Sequence, residues 1–353
     1  TLLAQWQRLL PAAGSGRYTL RIIIRDDAGN AWATQETPLL NEVYFYPPDW
    51  ESADTGVVRY RLELPPGIPP ATYTVALTLV DDATAGQLPV RVGEGEFSGV
   101  AYDVGQVVVP PPEVVIAASR LQLPTTEGAM RLNGQLQLLG FGDIPDSALA
   151  GSRLPVDLFW HAADGEPPAG LQVAWHLIAA DGADRVIAVN PLSRYDTGQW
   201  RIGETIQEKY RLPLPPDLSP GDYQLLVEPV LADGSSIGDA ILLADIRIDN
   251  IDRQYEAVVP VPYGVSFGAL DLLGLDRAEI VAAPSEAPEL TLFWEKSAPF
   301  GEVYTVFVHL LDAAGNIVQQ ADHWPGGLPT DILDGGQIVT DRFTIPLLDD
   351  LPP

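Results

Sequence analysis

The chain has 353 residues, with 32 Gly, 33 Pro, no Cys and four His, and a formal net charge of −28. At about 100–200 residues per domain this length predicts two or three domains, and the Gly and Pro content predicts frequent tight turns instead of long helices. The acidity argues against a nucleic-acid partner, because phosphate binding needs a basic footprint. The lack of Cys excludes disulfides, thiolate catalysis and Cys-ligated zinc or iron–sulfur sites.

The numbering opens at Thr1 without a basic and then apolar leader, so no signal peptide is expected within it. Leu2-Leu3-Ala4-Gln5-Trp6 reads as an apolar strand ending on a tryptophan. A strand over 18–24 then runs into Asp26-Asp27-Ala28-Gly29-Asn30, where acid and glycine supply the residues of a hairpin turn. Trp50 precedes a block reading Tyr60-Arg61-Leu62-Glu63-Leu64-Pro65-Pro66-Gly67-Ile68-Pro69-Pro70, followed by Tyr73. These prolines cannot donate to a β-ladder and must end a strand there.

Pro110-Pro111-Pro112 predicts a stiff, extended spacer, after which the same marks return. Leu136-Gln137-Leu138-Leu139-Gly140-Phe141 precedes Val156-Asp157-Leu158-Phe159-Trp160. A strand over 171–178 then leads to a turn at Asp181-Gly182. Trp200 precedes Tyr210-Arg211-Leu212-Pro213-Leu214-Pro215-Pro216, and Leu218-Ser219-Pro220-Gly221-Asp222-Tyr223 follows. A third copy carries Leu270-Asp271-Leu272-Leu273-Gly274-Leu275, Leu290-Thr291-Leu292-Phe293-Trp294, a turn at Asp312-Ala313-Ala314-Gly315-Asn316, and Phe343-Thr344-Ile345-Pro346. The marker tryptophan and the later aromatic stand 54, 50 and 49 residues apart in the three copies. One unit is therefore repeated three times.

Each unit holds short alternating or apolar runs without sustained helical periodicity, which predicts an all-β fold of tandem antiparallel immunoglobulin/fibronectin-like β-sandwiches. Tyr73 and Tyr223 stand where a tyrosine corner would close the arch between two sheets. The expected division is a first sandwich over 1–109, lacking its first strand, a Pro-rich linker over 110–128, and a complete sandwich over 129–249. A second linker over 250–262 and a third sandwich over 263–353, lacking its last strands, complete it. No apolar run reaches the ~18 residues of a membrane span; the best, 107–109 and 240–244, are strand-sized.

Residues that carry chemistry are sparse. His176 and His309 align between copies where the first has Ile23, so packing in or against the core is expected of them before catalysis. Asp26 and Asp312 recur as turn residues. No nucleophile elbow, phosphate cradle or histidine triad is present, and the chain is expected not to be an enzyme. Trp6, Trp160 and Trp294 recur at the end of an apolar strand and read as core or sheet-edge packing. Trp32 and Trp324 do not recur, read as loop residues, and are the candidates for stacking on a sugar. Asp245, Asp249, Asn250 and Asp252 gather where the second unit ends, an oxygen-rich set that could hold Ca²⁺, the one cofactor the sequence raises.

Together the Leu-x-Leu-Leu-Gly, Leu-x-Leu-Phe-Trp, Phe-Val-His-Leu-Leu-Asp and Leu-Pro-Pro-x-Leu-x-Pro-Gly-x-Tyr blocks resemble a bacterial extracytoplasmic β-sandwich module. It is a module of tandem cell-surface proteins and of the region after the membrane part of protein-mannosyltransferase-like glycosyltransferases. The resemblance implies a non-catalytic spacer, surface-layer or fibre-forming element at the bacterial cell surface. Its expected partners are other copies of itself or adjoining domains. The alternative it implies is a glycan-binding accessory region of a larger membrane glycosyltransferase or glycoside hydrolase.

Overall fold

The computed structural model describes residues 1–7, 16–41, 43–50, 55–83, 85–88, 90–92, 96–97, 99–115, 118–121, 123, 130–131, 134–283, 286–299, 303–313, 315 and 317–347. Outside them lie Ala129 at the expected start of the second sandwich, Ala314 and Asn316 of the third turn, residues 348–353, and much of the first linker.

The first unit comprises β1 (Leu2–Gln7), β2 (Tyr18–Arg25), β3 (Ala31–Pro38), β4 (Thr55–Tyr60), β5 (Ala71–Asp81), β6 (Arg91–Val92), β7 (Glu96–Phe97) and β8 (Tyr102–Val109). The second comprises β9 (Met130–Arg131), β10 (Leu136–Phe141), β11 (Ser147–Leu149), β12 (Arg153–Ala162), β13 (Gln172–Ala179), β14 (Asp184–Pro191), β15 (Thr205–Pro213), β16 (Gly221–Val230) and β17 (Ile241–Asp249). The third comprises β18 (Val261–Phe267), β19 (Leu270–Leu275), β20 (Glu289–Lys296), β21 (Val306–Leu311), β22 (Ile317–His323) and β23 (Ile338–Thr344).

The second unit shows the full plan. One sheet has the order β15-β12-β10-β9 and the other β11-β17-β16-β13-β14, the arrangement of an immunoglobulin-type sandwich. The pairing is antiparallel except where β11 runs parallel to β17, a strand exchange between sheets that the repeat pattern alone did not indicate. Alternation explains the core: inward residues Leu154, Val156, Leu158 and Trp160 of β12 meet Val173, Trp175 and Leu177 of β13, all buried. Trp175 lies edge-on to Tyr210, with ring centroids 4.9 Å apart.

The outer units keep this register. Trp6, Trp160 and Trp294 pair across the sheet with Gly56, Ile206 and Val339, and Tyr60, Tyr210 and Phe343 each pair with the residue four before the tryptophan. Trp50, Trp200 and Leu333 each end a one-turn 3₁₀ helix. The tyrosine corners form: the Tyr73 hydroxyl donates to the Pro69 carbonyl at 2.7 Å and that of Tyr223 to the Ser219 carbonyl at 2.9 Å. The first unit pairs β1 with β4 and opposes them to β3-β2-β5-β8. The third has β18-β19-β20-β23 over β21-β22. β18 starts at Val261, two residues ahead of the expected boundary.

Candidate functional site

The densest polar chemistry lies where the first two units meet. Asp26, read from sequence as a turn residue, is buried with its side chain fully covered. It accepts from the Asn30 amide at 2.8 Å, from Asn30 Nδ2 at 3.0 Å and from Trp32 Nε1 at 2.8 Å. Its remaining partner comes from the second unit: Arg194 Nη2 stands 2.8 Å from Asp26 Oδ2.

Arg194 also reaches Glu208 of its own unit at 3.4 Å, and Glu208 accepts from the Ser193 hydroxyl at 2.7 Å and the Arg194 amide at 2.9 Å. The guanidinium lies 5.5 Å from the centre of the Trp32 ring, with Lys209 Nζ at 5.6 Å. Burial pushes the Glu208 carboxyl above the usual carboxylate range, and the pull of Arg194 and Ser193 reverses only part of that. Burial alone would lower Arg194, but Glu208 and Asp26 outweigh it and hold the guanidinium above its ordinary value.

Around this centre, first-unit loops cover the edge of β15. The Gln207 amide donates to the Gly67 carbonyl at 2.8 Å, Asn30 Nδ2 to the Lys209 carbonyl at 3.1 Å, and Arg211 Nε to Asn30 Oδ1 at 3.0 Å. Edge groups that would otherwise be open to another strand are thereby occupied. Arg201 donates to the carbonyls of Pro112 and Glu113, fastening the Pro-rich segment to the second unit.

The second junction is built on Arg253. It donates to the Ala150 carbonyl of the second unit at 2.6 Å, and to the Ile332 carbonyl and Gln337 Oε1 of the third at 2.9 and 2.7 Å. Beside it the Ile338 amide donates to the Gln254 carbonyl at 2.7 Å and Tyr255 to Asp334 at 2.8 Å. The segment expected as a linker is thus part of an interface.

The residues singled out in the sequence fare differently. Trp32 lies within β3, 5% exposed, edge-on to Tyr73 and beneath Arg194, so it belongs to the junction and offers no open face to a sugar. The loop placement expected for it is corrected. Trp324 is 45% exposed at the start of a 3₁₀ helix. The four oxygen-bearing residues at the end of the second unit do not converge. Asp245 accepts from Gln224, Asp249 pairs with Arg247, and Asn250 Nδ2 caps the Pro216 and Leu218 carbonyls. Among the described residues no group of three or more His, Asp or Glu side chains could hold a metal ion, Asp252 included.

His176 and His309, expected to pack in or against the core, both alternate outward from their sheets, His176 half-buried and His309 exposed. His176 stands between Asp184 at 3.0 Å and Glu228 at 3.2 Å. His161 bonds Thr205, and His323 stacks on Phe343. Sequence reading missed Arg194, Glu208 and Arg253. The one available signal was that Glu208 and Asp341 both stand two residues before the block aromatic, at an inward position of an alternating strand, and both are buried.

No protein-family model matches this chain, and no curated protein matches it. Three solved structures illustrate what it resembles. One is the Pseudomonas fluorescens alkylpurine DNA glycosylase AlkC bound to DNA containing an abasic site analog, 14% identical over 33% of this chain, TM-score 0.21. Another is the chicken CNTN1 FN1-FN3 domains, 12% identical over 93% of this chain, TM-score 0.20. The third is a tetra-tandem repeat in the extending region of a large adhesion protein, 11% identical over 97% of this chain, TM-score 0.20. The chain spans 30%, 83% and 60% of those chains respectively. Strand order and register, not these superpositions, define the fold as immunoglobulin-type sandwiches.

Proposed function

We propose that this chain is a non-catalytic, extracytoplasmic structural module whose locked junctions set a fixed distance between whatever it joins. The observation that supports this reading is the Arg194 centre, in which a buried carboxylate from each of two units meets one guanidinium. Charges held away from water are tolerated only when all partners are present together, so such a joint specifies one relative orientation. Interfaces between domains otherwise leave relative motion as the default. The Arg253 contacts extend the same logic to the next joint.

The chain has no cysteine, so spin labels placed through Thr34→Cys and Val189→Cys report the first joint without background. A single narrow distance distribution is expected. Arg194→Ala, which strands Asp26 and Glu208, should broaden it and lower unfolding stability by about 3–5 kcal/mol. A broad distribution in the unsubstituted chain would refute the locked-joint reading.

A further inference from the structure

On the outer face of the third unit, strand alternation puts two aromatic rings into solvent next to one another. Val306, Val308 and Ala321 pack toward the core, so Phe307 and His309 of β21 and Gln320 and Asp322 of β22 are left on the opposite, exposed side. Phe307 pairs across the hairpin with Asp322, and His309 with Gln320. Trp324 continues the outward row of β22 with extended backbone angles, φ −67° and ψ 142°. It therefore stands diagonally across from Phe307, where cross-strand neighbours lie about 7–8 Å apart.

The other two units show that folding does not require these rings. Phe307 stands two residues before His309, as Ala174 does before His176 and Arg21 before Ile23. Across the hairpin, Asp322 and Trp324 correspond to Val189 and Pro191 in the second unit and to Glu36 and Pro38 in the first. The first unit fills the position with an Arg21–Glu36 ion pair at 2.7 Å, and the second with a small alanine beside a valine. In the third, Phe307 is 59% exposed and Trp324 45%, the one exposed tryptophan among the described residues. Large rings left in water in one copy only mark a contact surface and not a packing need. The surface is also fixed in place: the Trp324 carbonyl accepts from the Gly327 amide at 2.7 Å, the Pro325 that follows is buried, and the His309 ring lies 6.4 Å from that of Phe307.

We propose that this face binds a neutral, ribbon-like oligosaccharide of equatorially linked pyranoses, with sugar rings resting on Phe307 and Trp324 and hydroxyls meeting Asp322, Gln320 and His309. Such a sugar presents a flat face of C–H groups, which stacks on an aromatic ring, and a rim of hydroxyls, which needs donors and acceptors alongside. Rings interleaved with a carboxylate, an amide and an imidazole answer both needs. A purely apolar protein surface is the poorer occupant, because it would cover the Asp322 carboxylate without offering it a hydrogen bond. An anionic sugar is opposed by Asp322 itself and by the net charge of −28. An open strand pair suits a chain of sugars laid across it better than a single enclosed ring.

The test titrates cellohexaose, chitohexaose and, as the anionic counterpart, hexagalacturonate into the full chain, reading heat, tryptophan fluorescence and amide exchange. Saturable binding of at least one neutral hexasaccharide is expected, with a shift in fluorescence and slowed exchange over β21 and β22. Phe307→Ala and Trp324→Ala should each weaken it about tenfold. Both variants should keep the unfolding midpoint of the unsubstituted chain, since neither side chain enters the core. No saturable binding of either neutral sugar overturns the proposal. So does binding that both substitutions leave unchanged, or hexagalacturonate binding as tightly as the neutral sugars. Self-association of the chain alone that Phe307→Ala abolishes also overturns it, because the face would then be a contact between copies.

Discussion

Two side chains at one repeat position illustrate how a buried acid can be used in this fold. Glu208 and Asp341 each stand two residues before the block aromatic, and each accepts a backbone amide, Glu208 from Arg194 in the loop before a 3₁₀ helix and Asp341 from Gly326 within one. Burial raises both carboxyls above the ordinary range. Only Glu208 also faces a neighbouring unit, through Arg194. At the same scale, burial holds the His161 imidazole below its ordinary value of 6.5, against a smaller upward pull from the Glu204 backbone. As pH falls through 6.5 the unfolded chain takes up that proton and the folded one does not, so this contribution to stability is present above 6.5 and lost below it. Urea midpoints measured from pH 7.5 to pH 5.5 should therefore fall less for His161→Asn than for the unsubstituted chain; parallel curves would count against this.

At the level of strands and turns, glycines with the same backbone angle have different consequences. Gly151 and Gly182 have φ of 87° and 85°, in the left-handed region that side chains resist. A Cβ at Gly182 meets nothing within 4 Å, whereas one at Gly151 falls 2.6 Å from the Ile332 carbonyl and 2.7 Å from Arg253. Gly182→Ala should cost about 1–2 kcal/mol from backbone strain alone. Gly151→Ala should cost more and also loosen the joint between the second and third units, read as a broader distance distribution between labels on them. Equal effects at the two positions would show that the joint is not packed as described. The turn glycine was legible in the sequence at Gly182; Gly151 and its place against another unit emerged only from the structure.

For the molecule as a whole, the joints determine whether the units behave as separate beads or as one body. The Asp26–Arg194–Glu208 centre is shielded from solvent, so added salt should barely weaken it, although at 1 M the screening length for exposed charges is only about 3 Å. The distance distribution across the first joint should accordingly be unchanged between low salt and 1 M NaCl. Marked broadening at high salt would mean that exposed charges hold the units together. The repulsion expected of a chain with net charge −28 acts against this joint at low salt, and the apolar contacts of Trp32 and Tyr73 lie on the same side of the balance as the ion pairs.

The sequence alone determined the sandwich class, the threefold repeat, the strand containing each marker tryptophan, and the two tyrosine corners. Each of these rests on local spacing and on residues whose backbone or burial preference acts within a few positions, so pattern suffices to place them. Tertiary structure decided which polar residues matter. Asp26 and Asp312 sit in matching turns, yet only Asp26 meets Arg194, from a segment 168 positions away. Trp32 reads as a free aromatic until the second unit covers it, and Arg253 reads as a linker charge until Ile332 and Gln337 receive it. Long-range desolvation assigns those roles, and desolvation depends on what lies across an interface, which no local spacing encodes.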